Sequence, residues 1–148
     1  MTDLAPRVVH LTQLAASAAE PLLASIDAEL LAKGWARERA TFWNDHVVAL
    51  LGDSGKALAA IAWRPLIHRR SAFIVLGGTR EGYRQKGLYR ACFLALVQEL
   101  EANRPEIDVI ESGHHVDNLE SAAMHKALGR IQTGAVYDFP LMRRTDAR

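Results

Sequence analysis

The run Ser71-Ala72-Phe73-Ile74-Val75-Leu76-Gly77 constrains this chain more than any other stretch. Its apolar residues follow one another without alternation, which predicts a strand buried on both faces. Such a strand needs a layer of structure on each side of its sheet. It runs straight into a glycine-punctuated basic loop, Gly77 to Gly87, and the loop opens a helix predicted from Leu88 to about Ala102. Asn103-Arg104-Pro105 stops that helix. Leu88, Cys92, Leu96 and Leu100, with Phe93 and Val97, give it a broad apolar stripe.

The rest of the chain supplies the layers. Val8 to Leu11 reads as a short strand, and about Ala15 to Lys33 as a helix in which Leu22, Ile26 and Leu30 recur every four residues, with Gly34 as its C-cap. His46 to Leu51 and Ala57 to Arg64 read as a hairpin around the turn Gly52-Asp53-Ser54-Gly55. Pro65 is expected to end the second of these strands. Ile107 to Glu111 is a further strand, Asp117 or Asn118 caps a helix running to Leu128 and Gly129, and Gln132 to Leu141 closes the chain as one or two strands. The predicted order is β, α, β, β, β, α, β, α, β, an α/β fold with a mixed sheet and helices on its faces.

At 148 residues the chain is expected to form one domain, 1–148, with 142–148 as a frayed polar tail. Eighteen Lys+Arg against seventeen Asp+Glu leave a net charge of +1, which argues against a nucleic-acid binder or a protein of anionic membrane surfaces. No segment approaches the ~20 apolar residues of a membrane helix. Leu14 to Ala19 faintly resembles the end of a signal peptide, but Asp3, His10, Thr12 and Gln13 break the pattern, so the N-terminus reads as mature protein. The single cysteine, Cys92, excludes an intrachain disulfide and fits a reducing, cytoplasmic setting.

Thr79-Arg80-Glu81-Gly82-Tyr83-Arg84-Gln85-Lys86-Gly87-Leu88-Tyr89 carries the chemistry. A helix start offers unpaired N–H groups and the positive end of the dipole. With Arg84, Lys86 and Arg90 adding positive charge, this is an anion site suited to a phosphate or diphosphate. The competing reading is a solvated basic turn. Two nucleotide motifs fail here. Gly52 to Ala57 is too short for a P-loop and lacks its hydroxyl, while Gly82 to Gly87 has the glycine spacing but Leu88 in place of Lys. No G-x-G-x-x-G follows the first strand.

Arg84-Gln85-Lys86-Gly87-Leu88-Tyr89 resembles the acetyl-CoA motif of the GCN5-related N-acetyltransferases, Arg/Gln-x-x-Gly-x-Gly/Ala, at its first two key positions. Tyr83 matches the aromatic that often precedes it. Asn118, Ser121, Leu128 and Gly129 fall at the spacing of the family's downstream Asn-x-x-Ala/Ser and Leu-Gly-Phe elements. The resemblance implies a mixed, mostly antiparallel sheet of six to seven strands flanked by helices, splayed where two strands admit CoA. It implies that backbone N–H groups of Arg84, Gln85, Lys86, Gly87, Leu88 and Tyr89 cradle the CoA diphosphate. Backbone of Leu76, Gly77, Gly78 and Thr79 would run beside the pantetheine, with an N–H near Leu76 or Gly77 polarising the thioester carbonyl, and Asn118 would help hold the arm. The implied activity is transfer of acetyl from acetyl-CoA to an unidentified primary amine. A non-catalytic acyl-CoA sensor on the same fold, and an unrelated α/β domain with a merely basic loop, are the other readings. Family members often form homodimers.

Three residues depart from the pattern. Tyr89 replaces a small residue, and Arg130 an aromatic. His125 stands where many members carry the tyrosine that protonates the leaving thiolate. Imidazolium is a competent acid near neutral pH. His125 is therefore one candidate general acid and Tyr137 another, with a purely structural role for each as the counter-reading. The Ala72–Gly78 run has no carboxylate, which makes Glu111 the candidate base, against a plain solvent-exposed strand end. Glu111, His114, His115 and Asp117 match no established metal-ligand spacing, and no metal site is assigned. Cys92 and Trp63 read as core. Trp35 and Trp43 are candidates to shape the acceptor side.

Overall fold

The structure, a computed structural model, describes residues 7–12 (backbone), 19–34, 46–112 and 126. The elements are β1 (Arg7–Thr12), α1 (Glu20–Ala32), β2 (His46–Leu51), β3 (Ala57–Leu66), a 3-10 turn (Ile67–Arg69), β4 (Ser71–Thr79), α2 (Leu88–Asn103) and β5 (Val109–Glu111). They follow the predicted order through the fifth strand. The third helix and the closing strands, with the tail, lie outside the described residues.

Five strands form one sheet in the order β1-β2-β3-β4-β5. The first three pairings are antiparallel and the last is parallel. A mixed, mostly antiparallel sheet is thus present, with five strands among the described residues against the six to seven that the resemblance implies. β4 is interior, flanked by β3 and β5, as its unbroken apolar run requires.

The two faces of the sheet carry separate cores. Leu22, Leu23 and Ile26 of α1 pack against Val47, Ala49, Ala60, Ala62 and Leu76 on one face. On the other face Tyr89, Cys92, Phe93, Leu96 and Leu100 of α2 pack against Val48, Leu50, Ile61, Trp63, Ala72 and Ile74. β2 alternates between the two cores residue by residue, which explains why both sets of positions are apolar. Full burial of one such Leu or Ile is worth about 1.5–3 kcal/mol.

Three local expectations shift. α1 begins at Glu20, not near Ala15, because Pro21 sits in its first turn. A proline there costs nothing, whereas deeper in a helix its ring would clash with the carbonyl four residues back. Gly34 follows the C-cap with φ +72°, and its N–H donates to the Leu31 carbonyl at 3.1 Å. β3 runs through Pro65 to Leu66, since Pro65 pairs with Ala72 of β4 at a point where β2 no longer lies alongside. A strand with one neighbour tolerates the missing N–H. Finally, β5 is only three residues long. Arg70 sets its position: the Asp108 N–H donates to the Arg70 carbonyl at 2.7 Å, and Arg70 Nε donates to Asp108 Oδ2 at 2.6 Å.

Candidate functional site

The basic loop joins the end of β4 to the start of α2. Gly82, Gln85 and Gly87 have φ of +88°, +63° and +77°. Gln85 and Gly87 are left-handed on either side of Lys86, and alternation of this kind turns successive N–H groups toward one side. Gly87 is the N-cap of α2, which has no side-chain cap and no acidic residue in its first turn. α1, by contrast, carries Glu20 there. The α2 N-terminus therefore keeps its positive end without an internal counter-charge. A Cβ at Gly82 or Gly87 would meet nothing within 4 Å, so the space above the loop is open.

The cations of the loop and of the α2 start divide into two pairs. Arg80 and Arg84 are used internally. Arg80 Nε donates to the Ala57 carbonyl at 3.0 Å. Arg84 Nε donates to the Thr79 carbonyl at 3.0 Å, and its Nη2 to Glu29 Oε1 of α1 at 3.0 Å. The expectation that the Arg84 side chain adds charge around the anion is therefore corrected: its guanidinium is turned to α1. Lys86 lies 5.8 Å from the centre of the exposed Tyr83 ring, and Arg90 is exposed on the first turn of α2.

Tyr89 resolves the first departure from the motif. It is buried in the α2-side core, and its Cε2 stands 3.0 Å from where a Gly77 Cβ would be. Its bulk points into the sheet, away from the loop, and fits there because residue 77 lacks a side chain. On the opposite face a Cβ at Gly78 would stand 2.8 Å from Ile26 Cδ1. The strand end is pressed from both sides.

β4 also carries a feature that the sequence did not signal. Ala62 pairs with Leu76 and Trp63 with Ile74, so Val75 is an extra residue in β4. This bulge reverses the phase of the strand: Ala72 and Ile74 face α2, but Leu76 faces α1. Alongside β5, β4 is paired only from Ser71 to Phe73. Among the described residues, Ile74 to Thr79 have a strand partner on the β3 side alone. The described pairing of β4 with β5 ends at Phe73 and Glu111, and Leu76, Gly77, Gly78 and Thr79 lie beyond it; the residues that follow Ser112 are outside the described ones.

Glu111 pairs with Phe73 in register, in the last described pair of β4 with β5. Its Oε1 accepts a hydrogen bond from Arg69 Nη2 at 2.6 Å. Gly77 is four residues farther along β4, roughly 13 Å at about 3.3 Å per residue. Cys92 is fully buried, and burial pushes its thiol up to about 12, which excludes a thiolate nucleophile at neutral pH. Trp63 is core, with His46 stacked on it at 4.6 Å and the Arg104 guanidinium 5.6 Å from its ring centre. Among the described residues no group of His, Cys, Asp or Glu could hold a metal ion, and no helix is long and apolar enough to cross a membrane. His125, Tyr137, Asn118, His114, His115, Asp117, Trp35 and Trp43 lie outside the described residues.

Solved structures share this fold over about nine-tenths of the chain. The aminoglycoside N-acetyltransferase AAC(6')-Iy in complex with CoA superposes with a TM-score of 0.63 at 16% identity, over 92% of this chain and 93% of its own. A ribosomal-protein-alanine N-acetyltransferase from Brucella melitensis biovar Abortus 2308 gives 0.65 at 15% identity, over 91% and 98%. An aminoglycoside acetyltransferase from an uncultured soil metagenomic sample gives 0.71 at 10% identity, over 90% and 93%. The chain has the fold of the GCN5-related N-acetyltransferases. No protein-family model and no curated protein matches it by sequence. At identities this low the likeness speaks for the fold.

Proposed function

We propose that the protein is an acyl-CoA-dependent N-acetyltransferase that moves acetyl from acetyl-CoA to a primary amine by direct attack in a ternary complex. The observation that carries this reading is the start of α2 behind Gly87, without a side-chain cap or an acidic residue in its first turn, set at the end of a strand that among the described residues is paired there on the β3 side alone. The CoA diphosphate would take the N–H groups of the loop and the α2 first turn, and the pantetheine would lie along Leu76 to Thr79 like an added strand. The presence of CoA in the AAC(6')-Iy complex supports the assignment.

In this mechanism the amine nitrogen attacks the thioester carbon, and the carbonyl oxygen gains charge. A backbone N–H near the Val75 bulge, at Leu76 or Gly77, would stabilise that oxyanion. The intermediate collapses with cleavage of the C–S bond. The thiolate takes a proton from His125 or Tyr137, and the proton that attack leaves in excess on the nitrogen goes to water leading to Glu111. That relay is needed because Glu111 is too far along the sheet for direct contact. Asn118 would hold the pantetheine arm. An amine is the acceptor class that the named neighbours share, since they act on aminoglycosides or on a ribosomal-protein alanine. The engagement of Glu111 by Arg69 favours one second reading, a sensor that binds acyl-CoA without turnover.

Calorimetry with acetyl-CoA on the wild type and on Gly87→Asp tests the proposal. Aspartate tolerates a left-handed backbone better than most residues, so the fold should persist while a carboxylate enters the cradle. Micromolar binding by the wild type that disappears in the variant is the expected result. A wild type that binds no CoA refutes both the enzyme and the sensor.

A further inference from the structure

Arg84 reaches outside its own loop in two directions. Its Nε holds the last carbonyl of β4, at Thr79, and its Nη2 holds Glu29 of α1. Glu29 is itself held by Lys33 Nζ at 2.9 Å, one helical turn on. α1 is already seated on the same strand end through Ile26 against Gly78. One side chain therefore joins the loop, the strand end and the helix on the opposite face from α2.

We propose that Arg84 and Glu29 are positioning residues, whose ion pair braces the loop against α1 and so holds the N–H groups of residues 85–89 in the geometry that takes the CoA diphosphate. The proposal rests on the acyl-CoA reading above. Its logic is that Gln85, a non-glycine residue at φ +63°, is held in a backbone conformation that it adopts only under constraint. Its neighbour Arg84 is where the constraint is applied. Neither side chain needs to touch the ligand.

The sign of one substitution separates this role from simple electrostatics. Glu29→Gln removes a negative charge close to an anion site, so a purely electrostatic account predicts tighter CoA binding. A brace predicts weaker binding, by about threefold to fivefold, within what an exposed ion pair supplies. Arg84→Gln should weaken binding at least as much. The double variant should be no weaker than Arg84→Gln alone, because both changes remove one brace. Hydrogen exchange of the amides of residues 80–87 in the ligand-free protein should quicken in each variant, by more than the small drop in urea midpoint expected from losing an exposed ion pair accounts for. CoA binding by Glu29→Gln that equals or exceeds the wild type, or additive losses in the double variant, overturns the brace and leaves the acyl-CoA reading standing. A wild type that binds no CoA overturns both.

Discussion

Gly77 and Gly78 show how much of the site is decided by atoms that are absent. One leaves room for the Tyr89 ring and the other for Ile26. Gly77→Ala places its new carbon 3.0 Å from Tyr89 Cε2 and 3.1 Å from the Ala60 carbonyl oxygen. The backbone contact cannot yield as a side chain would, so this methyl is expected to cost about 1–3 kcal/mol, read from urea unfolding. A loss under about 0.5 kcal/mol would mean that α2 moves aside freely. These contacts were only half legible in the sequence. Tyr89 could be seen as an exception to a motif whose third key position is small, but that residue 77 compensates for it depends on a packing distance. The Arg84 guanidinium is a similar case: the spacing marked it as a loop cation, and only its partners 5 and 55 residues away reveal a brace.

At the level of elements, periodicity served well where one rule acts and failed where two compete. α2 and β4 came out nearly whole, because stripe and apolar run each have a single interpretation. α1 was extended too far toward the N-terminus, since alanine-rich helix propensity outweighed the proline that starts it. The Val75 bulge left no mark, because a run that is apolar on both faces does not change when its phase flips. Ion pairs between elements give a further expectation. Lys33 and then Arg84 hold the Glu29 carboxyl below its ordinary range, as Arg70 does for Asp108 and Arg104 for Glu106. Each carboxyl binds its proton more weakly folded than unfolded. Their contribution to stability is therefore complete at neutral pH and drains away as the pH falls through the usual carboxylate range toward the lowered values. The urea midpoint should drop from about pH 5 downward, less steeply in Asp108→Asn, which has already lost the pair that aligns β5. Equal slopes in both proteins would show that this pair adds nothing.

For the whole molecule the open issue is turnover, since the same fold serves equally to bind and to transfer. Glu111→Gln and His125→Ala are expected to keep CoA affinity within about twofold, while the rate of acetyl transfer to an amine falls roughly 10²- to 10⁴-fold for a lost acid or base. Unchanged rates would remove both residues from the mechanism. Wild-type binding of CoA with no transfer across an amine panel would favour the sensor. The fold was legible at this scale because the order of strands and helices can be read from hydrophobic patterning, which outlasts sequence identity: the named neighbours share the fold at 10–16% identity. The topology also sets an order of assembly. β1 to β4 form a ladder of antiparallel pairs between neighbours in the sheet, whereas β5 joins β4 only after the whole of α2 has been made. A chain growing from the ribosome contains all four strands of the antiparallel ladder before residue 109 exists, and β4 gains its described parallel partner only as synthesis passes Glu111.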